Sequence, residues 1–330
     1  MKALTKGQHR WGFVCGQISV LEGRMMPYDF FVNLGSIERT EDVLHRLQET
    51  SLREFMVPGA ESWEDWSTII DTYVHSQIEQ LKRSCPSTEI TDVFLLSEDY
   101  VNLKRALAGK TNIFPQNIFT ENRLSDIAGG NVALFPEVIR PALSVLANPA
   151  GPHSENPLIV DIILDGAYLR HYLWLINRLQ SPLLREWAEY RVLSKLVVIL
   201  WRALRMEQNL KLYAQYMLPL EPFNHIVTEL CNSNDVRNWV SIIPGEIGDI
   251  FRESLEFEVD EQIPKFEQKI SNLITKMAQI AKLQTMGPER VGAFCWGLNV
   301  EAFNLKLIVS GKLNGLPTSM IKDRIRETYV

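Results

Sequence analysis

Residues 259–280 read VDEQIPKFEQKISNLITKMAQI. Within them Val259, Ile263, Phe266, Ile270, Leu273, Met277 and Ile280 recur at spacings of 4-3-4-3-4-3. That spacing lays one unbroken apolar seam along a helix and leaves the charged and amide side chains on the other faces. A strand cannot carry it, because a strand returns to one face every second residue. Pro264 fits such a helix only near its first turn, and Gly287-Pro288 ends the run. Working outward, a helix is expected from about Glu289 to Ser310. A last charged helix should follow NGLP, with Thr318 or Ser319 as N-cap before MIKDRIRETYV. TEDVLHRLQET (40–50) offers Thr40 in the same capping role. Breaks are expected at Pro58-Gly59, Cys85-Pro86, Gly129-Gly130 and the loop-like NPAGPHSEN (148–156). Alternating patterns are scarce, so the fold class is all-α.

Composition narrows the function. With 46% hydrophobic and 22% charged residues of mixed sign over 330 positions, the chain is not disordered. It can fill two or three domains or one helical array. A formal net charge of −6 and the lack of a basic stripe give binding to nucleic acid or anionic lipid little support. Cys15, Cys85, Cys231 and Cys295 form no CxxC pair, and the histidines show no ligand spacing beside them, so no zinc site is expected. MKALTKGQHRWG lacks a continuous apolar core. No signal peptide is expected, and the thiols should be reduced in the cytoplasm. PLIVDIILDGAYLRHYLWLI (157–176) carries Asp161, Asp165, Arg170 and His171, and VLSKLVVILW (192–201) falls short of the roughly 20 apolar residues a membrane span needs.

A repeat runs through the chain. Asn102-Leu103-Lys104 is followed after four residues by Gly109-Lys110, and Asn304-Leu305-Lys306 after four by Gly311-Lys312. Tyr100 precedes the first copy and Phe303 the second. Ser194-Lys195-Leu196 with Trp201-Arg202 keeps the frame in degraded form. Copies at intervals of roughly a hundred residues suggest one helical unit used three times. The expected domains are 1–110, 111–205 and 206–330, with repeat helices at 97–110, about 190–205 and 289–312. Gly109-Lys110-Thr111 also matches the tail of a phosphate-binding loop, GxxxxGK[ST]. Lys104, however, holds its first glycine position, a helical pattern precedes it, and Thr111 corresponds to Leu313 in the second copy. Gly109 therefore reads as a helix stop. Asn102 and Asn304 fall mid-helix, where asparagine is unfavourable, which suggests a structural hydrogen bond at a helix seam.

The run GPERVGAFCWGLNVEAFNLKLIVSGKLNGLPTSMIKDRIRETYV (287–330) resembles the C subunit of archaeal and bacterial A/V-type ATPases, equivalent to the d subunit of the vacuolar ATPase. The shared features are Glu301 shortly before Asn304, then Gly311-Lys312, then Gly315-Leu316-Pro317 and a final charged helix. DFFVNLGSIERTEDVLHRLQET (29–50), SEDYVNLKRALAGK (97–110) and the pair Asp165 and Tyr168 fit as well. Residues 111–156 and 205–257 contribute little. GFVCGQISVLEGR lacks a basic residue before Arg24 where relatives often have one, and the middle repeat lacks its asparagine. The resemblance implies an all-helical funnel of three similar domains on the cytoplasmic face of the membrane rotor ring. Its implied partners are the central-stalk axle subunits and the proteolipid ring, with no transmembrane segment of its own. It implies no catalytic residue, cofactor or metal: the protein would couple axle rotation to a ring that carries protons or sodium ions.

Eight tryptophans exceed what a core of this size needs. Trp63, Trp66, Trp201 and Trp239 are candidate contact residues, while Trp174 and Trp296 read as core. Two other readings stay open. Asp161 and Asp165, one helical turn apart, could share a metal or act as an acid/base pair in a hydrolase. Helix-start capping or a bond to another helix explains them equally well. His171, six residues beyond Asp165, points about 120° away, so no triad forms on one helix. No GxSxG or HExxH occurs. The remaining alternative is a free-standing helical scaffold for protein partners.

Overall fold

The computed structural model describes residues 8–57, 59–60, 62–109, 119, 131–148, 150–154 and 156–330, and among these there is no strand. The first helices are α1 (Gly12–Glu22), α2 (Tyr28–Ser36), α3 (Thr40–Leu47), α4 (Trp63–Ser84) and α5 (Glu89–Leu107). The middle of the chain holds α6 (Arg140–Leu146), α7 (Leu158–Arg178), α8 (Pro182–Arg205), α9 (Leu210–Met217), α10 (Asn224–Cys231) and α11 (Gly245–Ser254). Last come α12 (Val259–Lys282), α13 (Pro288–Leu313) and α14 (Thr318–Asp323). Two compact units result: Met1–Thr91 with Pro264–Val330, and Asp92–Ile263. No helix among the described residues is long and apolar enough to cross a membrane.

In the first unit α13 is the central helix, packed on α1, α2, α3 and α4. Being surrounded, it is apolar nearly all round. It runs from Pro288 through Gly311 to Leu313, one residue beyond the expected repeat helix 289–312 at each end. The stop is Gly315, at φ +67, where Gly315 N–H bonds Lys312 O and Leu316 N–H bonds Gly311 O, a Schellman ending. Gly311 instead admits a neighbour, since a Cβ there would lie 2.8 Å from Ile321 Cδ1. Thr40 is not an N-cap either; Arg39 holds that place, and the Thr40 hydroxyl reaches Lys312 O. Pro317 caps α14, and the Thr318 hydroxyl accepts from Lys312 Nζ. The capping box that does form, Ser62 with Asp65, opens α4.

The seam on α12 behaves differently from its sequence period. Ile263, Phe266, Ile270, Ile274, Ala278 and Ala281 are buried, whereas Val259 and Ile280 are exposed. A straight helix turns every 3.6 residues, so a 3.5-residue stripe drifts off the core side over six turns. Small Ala278 and Ala281 continue the packed face. Pro264 lies in the second turn, not the first.

The C-terminal segment also departs from expectation. Helix α14 ends at Asp323 and residues 325–330 are irregular. Their backbone is satisfied by side-chain amides in place of helical bonds. Gln268 donates to Asp323 O and Ile325 O, Asn272 accepts from Glu327 N–H, and Gln279 donates to Thr328 O. Tyr329 lies against Gly297, where a Cβ would come within 2.8 Å of it.

The second unit is built on α7, which packs against α6, α8 and α9, with α10 and α11 against α8. At Gly166 the backbones of α7 and α9 touch: a Cβ would lie 2.7 Å from Met217 O. Arg170 then donates to Met217 O at 2.7 Å and Pro219 O at 3.0 Å, covering carbonyls that a helix end leaves open.

Candidate functional site

The repeat residues resolve into distinct jobs. Asn304, fully buried in α13, clamps one residue of the C-terminal segment: its Oδ1 accepts from Arg326 N–H at 2.9 Å and its Nδ2 donates to Arg326 O at 3.0 Å. Asn102 is likewise fully buried in α5, within the second unit. Ser194 is buried in α8 and donates to Arg191 O, while Arg202 on the same helix is exposed. Gly109 takes φ +68 just after α5. Glu207 does the same after α8 at φ +55, so that helix stops without a glycine. Lys312 is buried, and burial lowers its pKa. Lys110 lies outside the described residues.

Asp161 and Asp165 do come together, around an ammonium group. Lys104 Nζ on α5 lies 2.8 Å from Asp161 Oδ1 and 3.3 Å from Asp165 Oδ1. Burial alone would lower the lysine pKa, but the two carboxylates outweigh it and hold the group above its ordinary value. Burial raises Asp165 despite the lysine. The lysine of the first repeat copy thus offsets part of the paired negative charge, which is the bond to another helix that the sequence allowed. His171 is buried beneath Tyr100, Phe119 and Trp174. Burial pushes its pKa down to about 4, so it is neutral and packs as an aromatic ring. Among the described residues no group of three His, Cys, Asp or Glu could hold a metal ion.

Of the four candidate contact tryptophans, Trp66, Trp201 and Trp239 are no more than 1% exposed. The Trp201 ring meets Phe251 edge-on, and Trp239 stacks on that same phenylalanine. Trp63, in the first turn of α4, is half-buried. Trp296 is buried with its indole N–H on Thr275, as expected of core; Trp174 is only half-buried, beneath the Arg178 guanidinium.

Sequence reasoning missed one polar cluster. Glu301 is buried in α13, and Tyr73 on α4 and the turn after α1 converge on its carboxylate. The sequence marked Glu301 only as an acidic residue near Asn304. Its partners are over 200 residues distant, and no local pattern announces them. Beside the cluster is a pocket of about 240 Å³ lined by Tyr73, Ser51, Arg24, Glu54 and Gln77 among others.

Comparison with known proteins gives two findings. A family model described as ATP synthase (C/AC39) subunit matches residues 14–324. The chain is similar to the C subunit of the V-type sodium ATPase of Enterococcus hirae, at 22% identity over 337 residues that span 93% of this chain and 95% of the relative.

Proposed function

Because the chain belongs to the ATP synthase (C/AC39) subunit family, we propose that it is a non-catalytic adaptor in a rotary A/V-type ATPase. In this role it joins the central-stalk axle subunits to the proteolipid ring at the cytoplasmic face of the membrane, and the ring carries protons or sodium ions. The observation that carries the reading is the family match over nearly the whole length of the chain.

Physical features of each unit support it. A part that passes torque must resist compression, and close-packed interiors do. Each unit has such an interior, built round α13 in one and α7 in the other. The Asn304 clamp and the amides of α12 fasten the irregular C-terminal segment. Lys104 engages the one aspartate pair that offered chemistry. The threefold repeat with domains 1–110, 111–205 and 206–330 belongs to the same reading, supported by a buried mid-helix asparagine in each compact unit, Asn102 and Asn304.

Deletion tests the proposal. Membrane vesicles made without this chain should keep ATP hydrolysis by the soluble head and lose ATP-driven ion uptake. Adding the purified chain should restore uptake, and the chain should co-purify with axle and ring. Full ion uptake in its absence would overturn the assignment.

A further inference from the structure

Glu301 has no assigned role in that reading, yet among the described residues it is the most deeply buried carboxyl of the first unit. It is 1% exposed and joins three elements. Its Oε2 accepts from the Met26 backbone N–H, in the turn between α1 and α2, at 2.9 Å. Its Oε1 accepts from the Tyr73 hydroxyl on α4 at 2.8 Å. The Ser51 hydroxyl donates to Arg24 O at 3.3 Å and lies beside the Tyr73 hydroxyl. Both Tyr73 and Ser51 line the 240 Å³ pocket, beside the exposed Arg24 and Glu54. A hydrogen-bonded path therefore leads from the pocket to a carboxyl that water does not reach directly.

We propose that Glu301 is a proton-operated latch, loaded from the pocket through Tyr73, in which protonation reverses the hydrogen bond between α13 and α4 and keeps the bond to the turn after α1. In the ionised state the carboxylate accepts both bonds. When a proton arrives from pocket water, Oε2 keeps the Met26 N–H. Oε1 then carries the hydrogen and donates to the Tyr73 oxygen, whose own hydrogen turns to Ser51 or pocket water. One proton enters and no covalent bond to carbon changes.

The surroundings favour such a load. Titratable groups on the packed elements lie against other partners: Glu22 with Arg290 and Tyr329, Asp71 with Lys306, and His75 within 4.0 Å of Glu79. Arg24 and Glu54 border the pocket, and among the described residues no cation contacts the carboxyl. Burial, opposed by the Met26 and Tyr73 bonds, raises the Glu301 pKa from 4.5 to about 7. A raised carboxyl pKa means that the fold binds the proton more tightly than the unfolded chain does. The stabilisation is fully present below the unfolded value of 4.5 and is lost as pH rises through about 7.

Urea unfolding of the isolated full chain, repeated at pH values from about 5 to about 8.5, tests this without reference to the ATPase. Glu301→Gln mimics the loaded state, so its folding equilibrium should lack a pH-dependent loss that the unmodified chain shows. That loss should approach about two orders of magnitude, or about 3 kcal/mol. Tyr73→Phe removes a donor to the ionised form, and the midpoint should move to higher pH. Should Glu301→Gln fail to fold, pH-difference infrared spectra of the unmodified chain, with and without 13C-labelled glutamate, report the protonated carboxyl directly. A protonated-carboxyl band persisting to near neutral pH supports the latch. Equal pH slopes for both chains, or a band already gone by about pH 5, would overturn it.

Discussion

Replacing Gly166 by alanine tests whether close backbone approach organises the second unit. In an exposed helix interior the change would stabilise by about 1 kcal/mol, because glycine gives up more backbone freedom on folding. At Gly166 the new methyl would lie 2.7 Å from Met217 O, 2.9 Å from its Cα and 3.1 Å from its Cγ. Two of those neighbours are backbone and cannot rotate away. Restoring ordinary contact means separating α7 and α9 by about 0.7 Å, from 2.7 to 3.4 Å. That movement also stretches the Arg170 bonds to Met217 O and Pro219 O. Overpacking costs about 1–3 kcal/mol, and strained charge-assisted bonds add about 1 kcal/mol. Set against the propensity gain, the net loss is about 2 kcal/mol. The control is Gly16→Ala on α1, where nothing lies within 4 Å of the added atom, and where a gain of about 0.5–1 kcal/mol is expected. Equilibrium urea unfolding followed by far-ultraviolet circular dichroism measures both. The two substitutions should move the midpoint in opposite directions; a Gly166→Ala chain as stable as the unmodified one would refute the close-approach argument.

Asn304→Ala should destabilise by about 2–4 kcal/mol, since it strands both the N–H and the C=O of Arg326, and limited proteolysis should then cut the C-terminal segment first; an unchanged digestion pattern would count against the clamp. Lys104→Met should cost about 1 kcal/mol at neutral pH, the scale of a partly exposed pair, by leaving Asp161 and Asp165 facing each other. The difference from the unmodified chain should shrink in acid as Asp165, whose pKa burial raises, takes up a proton, whereas a pH-independent loss would point to packing instead. Burial raises the thiol pKa of Cys15 and Cys295, and that of Cys231 to about 12, while Cys85 is half-buried. A thiol reagent at neutral pH should therefore modify Cys85 well ahead of the other three, as peptide mass spectrometry would show. Early labelling of Cys231 would contradict the packing of α10.

The helical class was legible because amphipathic period is a local property, and the 259–280 stretch displays it without help from the rest of the chain. What the period could not convey was which side of α12 faces the core along its whole length. The seam residue Ile280 is 58% exposed while Ala278 and Ala281 are buried, because the helix turns at its own pitch and small residues complete the face. Local signals failed in the same way at the C-terminal segment. MIKDRIRETYV has adequate helix propensity, but Gln268, Asn272, Gln279 and Asn304 offer its backbone better-placed partners from two other helices. Propensity is a weak preference and tertiary bonding overrides it.

The repeat motif and the tryptophans separate what a pattern can locate from what it can explain. Asn102 and Asn304 were found by spacing, and each is buried mid-helix, so spacing located two constrained positions. The Gly-Lys element that follows them does different work in the two copies: Gly109 ends its helix at positive φ, while Gly311 stays helical and admits Ile321. Equal spacing therefore does not guarantee equal backbone conformation, and the role depends on what packs there. The same reasoning applies to tryptophan. A surplus over the needs of the core was an argument about counting, yet Trp66, Trp201 and Trp239 fill interiors, two of them around a single phenylalanine. Dividing the chain into two compact units gives it two interiors to fill, and large rings fill them efficiently, so these three tryptophans serve the cores and not a contact surface.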